Sequence, residues 1–339
     1  MHAVGYETSL PIENDASLVD IELPRPEALG RDILVAVRAV SVNPVDTKVR
    51  MRAQADAGSW KVLGWDAAGT VEAAGPEVTL FRPGDEVFYA GALDRPGTNA
   101  AYHLVDERIV GRKPASLSWA EAAAIPLTAI TAWETLFDRL DVRKPVPGAA
   151  NAILIVGGAG GVGSIATQLA RQLTALTVIA TASRPETKAW SLGLGAHHVV
   201  DHSAGLASAV EALGLGAPAF VFSTTHTDDH LGEIAKLIAP QGRMALIDDP
   251  ARLDVSVLKR KSVSLHWEFM FTRSMFGTAD IAEQGKLLNE VARLVDTGTL
   301  RTTLSETFGP INAANLRRAH ALIESGRAKG KIVLEGFGA

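Results

Sequence analysis

The chain has 339 residues, 47% of them apolar and 21% charged, with a formal charge of −5 and no cysteine. That length makes two domains the expectation, and the mildly acidic balance leaves no electrostatic footprint for nucleic acid. Without cysteine, disulfides, thiolate nucleophiles and cysteine–zinc sites are excluded. No apolar run approaches the ~18 residues needed to span a bilayer, and the opening MHAVGYETSLPIEND lacks the basic and apolar regions of a secretion signal, so a cytoplasmic location is expected.

The first third reads as β-rich. Asp32–Asn43 alternates apolar and polar positions like a half-buried strand, and Thr70–Ala73, Glu86–Ala90 and Ala101–Val105 are shorter strands separated by turn clusters such as Arg82 to Asp85. Close-spaced short strands predict a barrel-like domain. From Ser118, a plausible N-cap, the pattern turns helical over Trp119–Ile125 and Leu127–Leu140, punctuated by Pro126. From Ala152 strand and helix alternate: strands at Ile153–Val156, Val178–Ala182, His198–Asp201, Phe220–Ser223 and Met244–Ile247, with helices Val162–Leu173 and Glu186–Leu194 among them. This predicts a parallel sheet with crossover helices. Ser262–Phe271 is expected as an edge strand. Beyond it come helices Ala282–Thr297 and Ile311–Ser325 and a last strand Lys331–Leu334. This tail is too small for its own core and is expected to complete the N-terminal domain. The domain reading is 1–125, completed by 270–339, and 126–269.

The segment 153–163 (ILIVGGAGGVG) holds G-x-G-x-x-G at Gly158, Gly160 and Gly163. It follows a buried strand and opens a helix, the setting in which the pattern predicts pyrophosphate binding through Gly158, Ala159, Gly160, Gly161, Val162 and Gly163. An NAD site carries an acidic residue about 20 residues further on. This chain has Ser183 and Arg184 there, with Lys188 one turn later. A hydroxyl and two cations suit the 2′-phosphate of NADPH; as alternatives, Ser183 caps the helix and Arg184 is solvated. His226 and His230 share i, i+4 spacing, which suits a metal pair or a solvated helix face; the latter is the reading taken.

The segments 41–46 (SVNPVD), 64–69 (GWDAAG), 82–87 (RPGDEV), 125–133 (IPLTAITAW) and 330–334 (GKIVL), with the glycine turn, resemble the medium-chain dehydrogenase/reductase superfamily over essentially the whole chain, in its quinone oxidoreductase branch. The run 266–276 (HWEFMFTRSMF) looks like the subgroup labelled zinc-type alcohol dehydrogenase-like. The resemblance implies an α/β fold, a Rossmann doubly wound parallel sheet plus a GroES-like β-rich catalytic domain. It also implies a homodimer through the Ser262–Phe271 edge. In zinc-using relatives the segment 64–66 carries a ligand histidine; Trp65 stands at that position here, and no zinc is expected. The resemblance further places Asn43 near the nicotinamide ribose, Thr128, Phe269, Met270 and Lys331 near the cofactor, and Trp65 in the space a zinc would fill; Trp65 and Trp267 are assigned to the substrate pocket. Some relatives carry a tyrosine two residues after the aspartate of 43–46; Lys48 stands there and could stabilise a developing oxyanion.

Without a Lewis acid, oxidation of an unactivated alcohol is hard, whereas an acceptor with its own electron sink is easier to reduce. NADPH-dependent reduction of quinones or α,β-unsaturated carbonyls is therefore the expectation. A 2-enoyl-thioester reductase and a non-catalytic NADPH-binding sensor or structural protein remain as alternatives.

Overall fold

The computed structural model describes residues 1–338. The chain divides into two compact units, Met1–Ile130 with Phe271–Ala339, and Thr131–Met270.

The first unit is β-rich. Strands β1 (His2–Tyr6), β2 (Val19–Glu22) and, further on, the two-residue Lys61–Val62 form a small antiparallel sheet. The long strand β3 (Asp32–Val42) is followed by helix α1 (Pro44–Arg52). Lys61–Val62 counts as β4, followed by β5 (Asp66–Ala74), β6 (Glu86–Ala90), β7 (Tyr102–Asp106), β8 (Val110–Arg112), α2 (Trp119–Ala123) and α3 (Pro126–Trp133). Strand β3 is central: it pairs antiparallel with β5 and with β7. Its burial does not alternate along its whole length as the sequence pattern suggested: Ile33, Leu34 and Val35 are buried in succession, as are Ala39 to Val42, and only Arg38 is exposed, because the strand is partnered on both sides and packed against α2.

Two further expectations are corrected here. The strand expected over Asp32–Asn43 ends at Val42, because Asn43 is the N-cap of α1 and Pro44 holds its first helical position, where its missing N–H costs nothing. The helix expected over Leu127–Leu140 is α-helical only to Trp133 and continues as a π-helical stretch, Glu134–Arg139, in which Leu140 N–H donates to the Thr135 carbonyl five residues back.

The second unit holds β9 (Ala150–Val156), α4 (Gly161–Leu173), β10 (Thr177–Thr181), α5 (Pro185–Gly193), β11 (His198–Val200), α6 (Leu206–Glu211), β12 (Pro218–Ser223), α7 (Thr227–Leu237), β13 (Arg243–Leu246) and β14 (Ser264–Trp267). The six strands are parallel in the order β11-β10-β9-β12-β13-β14, the doubly wound arrangement whose switch point falls at β9/β12. Leu154, Val156, Val221, Ile234, Met244 and Leu258 pack in one core layer against this sheet. The edge strand is shorter than the predicted Ser262–Phe271. Its partner β13 offers only four residues, Ser262 sits at φ +50° at its start, and Phe271 already caps the next helix.

After α8 (Thr272–Phe276) the chain returns to the first unit through α9 (Glu283–Asp296), β15 (Leu304–Thr307), α10 (Ala313–Glu324) and β16 (Lys331–Glu335). Strand β16 pairs antiparallel with β3, Ile332 opposite Val42, so the last strand of the chain lies beside Asn43.

Candidate functional site: a glycine cradle and a buried polar cluster

In the second unit, β9 ends at Val156 and the chain turns through Gly157, at φ +78°, into α4. Each glycine has its own reason. A Cβ on Gly163 would lie 2.3 Å from the Gly157 carbonyl oxygen, and one on Gly158 would lie 2.6 Å from Ala180 Cβ, so both are needed for helix and strand to approach. Gly160 is different: a Cβ there meets nothing closer than 3.5 Å. Space is left in front of it, at the N-terminus of a thirteen-residue helix, with Gly160, Gly161 and Val162 half-exposed and Ala159 and Gly163 buried behind. An open cradle backed by a helix N-terminus fits the pyrophosphate of a dinucleotide.

The next strand, β10, ends at Thr181, whose hydroxyl accepts the Gly157 N–H (3.0 Å). Ser183 is exposed two residues later. It does not cap α5; Arg184 holds that position, and its N–H donates to Thr187 Oγ1 (3.2 Å). Both expected phosphate-binding cations are ion-paired: Arg184 Nε with Glu186 (2.9 Å) and Lys188 Nζ with Asp201 (3.1 Å). These are surface pairs, which exchange for a phosphate at little cost. Beyond the edge strand, Met270 is buried, while Phe269 and Trp267 are half-exposed.

The first unit brings together residues the sequence separates widely. Lys331, the first residue of β16, is 3% exposed. Its ammonium donates to the Val42 carbonyl (3.0 Å) and to Asn43 Oδ1, and it lies 3.2 Å from Asp66 Oδ2. Asn43 Nδ2 donates to Asp66 Oδ2 (2.8 Å) and to the Ser41 carbonyl (3.3 Å). Asp66 Oδ1 accepts the Leu127 N–H (2.7 Å) at the head of α3. Asp46 Oδ2 accepts the Asn43 N–H (2.6 Å), while Asp46 Oδ1 is buried without a hydrogen bond. Two carboxylates and one ammonium thus share a site closed to water. Burial pushes the Asp46 carboxyl up to about 7 even though the Asn43 N–H and Lys331 oppose the shift. Burial likewise raises Asp66 against the pull of Lys331, and lowers Lys331 against the pull of Asp66.

Asn43, placed near the nicotinamide ribose by resemblance, carries an amide that can donate and accept. It does both, but within the protein, to Asp66 and from Lys331. Thr128 is buried and its hydroxyl donates to the Ile125 carbonyl (3.0 Å), the local back-bonding typical of a helical threonine. Lys48 is half-buried on α1. Sequence reasoning left out Asp46 and Asp66 as site residues; the readable signal was an aspartate within the otherwise apolar and small segment 64–69 (GWDAAG).

Trp65 is 2% exposed, donates its indole N–H to the Ala92 carbonyl (3.0 Å) and meets Phe271 edge to face at 5.8 Å. An indole is a donor without a lone pair to give a metal. Asp46 and Asp66, on either side of it in the motif set, are engaged by Asn43, Leu127 and Lys331. Among the described residues no group of three or more His, Cys, Asp or Glu is placed to hold a metal ion. The donors at this position do not fit zinc.

Residues 30–131 match the alcohol dehydrogenase GroES-like domain family and residues 194–334 the zinc-binding dehydrogenase family. A zinc-type alcohol dehydrogenase-like protein of Staphylococcus aureus (strain MSSA476) is 40% identical, over 98% of this chain and 99% of its own. The crystal structure of a protein assigned as a zinc-dependent alcohol dehydrogenase from Rhizobium etli CFN 42 superposes with a TM-score of 0.98 at 71% identity, covering 100% of this chain and 99% of the other. The quinone oxidoreductase of Coxiella burnetii superposes at 0.79 with 25% identity, covering 99% of both chains. With its glycine cradle, its parallel six-stranded sheet and these relatives along its whole length, the chain belongs to the medium-chain dehydrogenase/reductase superfamily of oxidoreductases, in its quinone oxidoreductase-like branch.

Proposed function

We propose that the protein is an NADPH-dependent reductase of quinones or α,β-unsaturated carbonyls that works without zinc, in the cytoplasm and as a homodimer. The observation that carries the reading is the self-satisfied cluster beside Trp65. Asn43, Asp66 and Lys331 spend their polarity on one another, and Trp65 offers no metal ligand, so nothing there would polarise an unactivated alcohol. The acceptor must bring its own electron sink. NADPH, when bound, supplies the hydride. The residues around the cradle then have binding and orientation to perform: the N–H groups opening α4 hold the pyrophosphate, and Ser183, Arg184 and Lys188 read the 2′-phosphate. Lys48, half-buried on the helix that Asn43 caps, is proposed to stabilise the oxyanion that develops on the reduced acceptor, with water as the proton source. The Coxiella burnetii quinone oxidoreductase supports this substrate class.

The test follows NADPH absorbance with a naphthoquinone, a simple enone and a crotonyl thioester, with and without prior chelation. Turnover of the quinone or the enone, unchanged by chelator and without stoichiometric zinc by elemental analysis, is expected. NADPH binding without turnover of any acceptor overturns the enzymatic reading, and preference for the thioester overturns the substrate class. Arg184→Ala should raise KM for NADPH about tenfold, the worth of one charge-assisted hydrogen bond, and leave NADH nearly unchanged.

A further inference from the structure

Helix α1 is seated on its polar side. Its three buried side chains are Asp46, Thr47 and Arg50, whereas Val45 and Val49 are half-buried and Met51 is half-exposed. At roughly 100° per residue the three buried positions span about 100° of the helix circumference, and Lys48 lies about 150° from the middle of that arc. Apolar contacts have no direction. Hydrogen bonds to charged groups do, and they weaken steeply off-angle. A helix held by such bonds therefore has its rotation about its own axis fixed by them.

The three buried side chains differ in what they hold. The Thr47 hydroxyl donates to the Pro44 carbonyl (2.9 Å), within the helix itself. Asp46 accepts at the N-cap, beside the cluster of Asn43, Asp66 and Lys331. Arg50 secures the other end. It is fully buried and donates to the Leu10 carbonyl, in the chain after β1, and to Glu324 at the end of α10. These partners lie 40 residues before it and 274 after it. His320, one turn before Glu324 on α10, is buried and makes no hydrogen bond through either ring nitrogen. Burial and the Arg50 charge hold its imidazole down to about 3, so it brings no second cation. Among the described residues Glu324 is the one carboxylate paired with Arg50. Tyr6, from β1, donates its hydroxyl to the Ala53 carbonyl (2.8 Å) just past the helix. Burial pushes that phenol up to about 12 against the pull of Arg50, and it stays a donor.

We propose that Arg50 is a positioning residue for Lys48: by fixing the rotation of α1 it aims the Lys48 ammonium at the oxygen on which charge develops. This rests on the role given to Lys48 above and deepens it. Arg50 has no exposed surface and acts through Lys48, not on the acceptor. The lever is short. A rotation of about 10° carries an atom about 5–6 Å from a helix axis through about 1 Å, and a displacement of about 1 Å at a reacting group costs on the order of a hundredfold in rate. A guanidinium suits the task because its planar fork presents donors at fixed angles to two acceptors, which a lysine ammonium does not.

The experiment is a double-mutant cycle on the intact protein, with a naphthoquinone as acceptor and NADPH absorbance as the readout. NADPH affinity is measured by calorimetry and folding by melting temperature. Lys48→Met should lower kcat about a hundredfold. Arg50→Met should lower kcat about tenfold or more and leave NADPH affinity unchanged. In the Lys48→Met background the same Arg50→Met change should cost nothing further in kcat, because no ammonium is left to aim. Losses that multiply in the double variant overturn the proposal, as does an NADPH affinity that falls in step with kcat, or a folded Arg50→Met with wild-type kcat. If Arg50→Met does not fold, Glu324→Ala takes its place in the cycle with the same expectations and the same overturning results; Glu324 is partly exposed, and its removal leaves the Leu10 bond. Those failures leave the Lys48 reading standing. A Lys48→Met enzyme with wild-type kcat, or a wild type that turns over no quinone, overturns that reading and this proposal with it.

Discussion

Lys331 is surrounded by Val42, Asn43 and Asp66 and has essentially no solvent. Buried ion pairs break at high cost, because removal of one partner leaves the other charge stranded. Lys331→Met should therefore lower the unfolding free energy by about 3–5 kcal/mol, read as a fall in denaturation midpoint at pH 7.5. Asp46 makes a second prediction. Its folded carboxyl titrates near 7, above the ordinary range of an unfolded aspartate. Between about pH 4 and pH 7 the folded state holds a proton that the unfolded chain has lost, so this group's contribution is complete below the unfolded value and is lost as pH rises through the folded one. Asp46→Asn can still accept the Asn43 N–H through its amide oxygen and cannot titrate. The variant should lose this downward component, so its melting temperature relative to wild type should climb from pH 4 to pH 7 and level off above. A constant difference across that range would show that Asp46 is ionised in the native protein. Asn43 and Lys331 were both singled out from motifs resembling a family; their contact was not legible, because a residue's partner across the fold leaves no mark in its own neighbourhood.

At the scale of elements, the strand–turn–helix β9 to α4 was readable because its causes are local: an apolar run, glycines at fixed offsets and a helix behind them. The structure separates what those glycines do. Gly163→Ala places a methyl 2.3 Å from a backbone oxygen and should cost both stability and nucleotide binding. Gly160→Ala meets nothing within 3.5 Å at φ −70°, so the fold should tolerate it. Its methyl would occupy the space in front of the cradle, and NADPH affinity should fall by tenfold or more with the melting temperature nearly unchanged. Loss of stability in Gly160→Ala equal to that in Gly163→Ala would mean that both glycines are merely structural. Boundaries were less readable. The edge strand shrank to Ser264–Trp267 because β13 provides only four partners, and the strand expected through Asn43 stops at Val42 because Asn43 caps α1 and Pro44 begins it.

At the scale of the molecule, β14 has β13 on one side and no strand on the other among the described residues. Trp267 and Phe269 at its end are 55% and 46% exposed. An uncovered edge with aromatic side chains favours pairing with a second copy. Light scattering at micromolar concentration should give a dimer, and Trp267→Glu should shift it toward monomer; a wild-type monomer would refute the pairing.

The sequence by itself determined the parallel α/β sheet, the nucleotide cradle and the exclusion of cysteine–zinc sites, because periodicity, glycine spacing and residue type are properties of short segments or of composition. The tertiary structure alone decided the chemistry around Trp65. Lys331 meets Asn43 across 288 residues of sequence, and Asp66 reaches the head of α3 from 61 residues away. Antiparallel pairing of the last strand with β3 creates these contacts and closes them from water. The resulting desolvation gives the carboxyls and the ammonium protonation behaviour that none of them has in isolation.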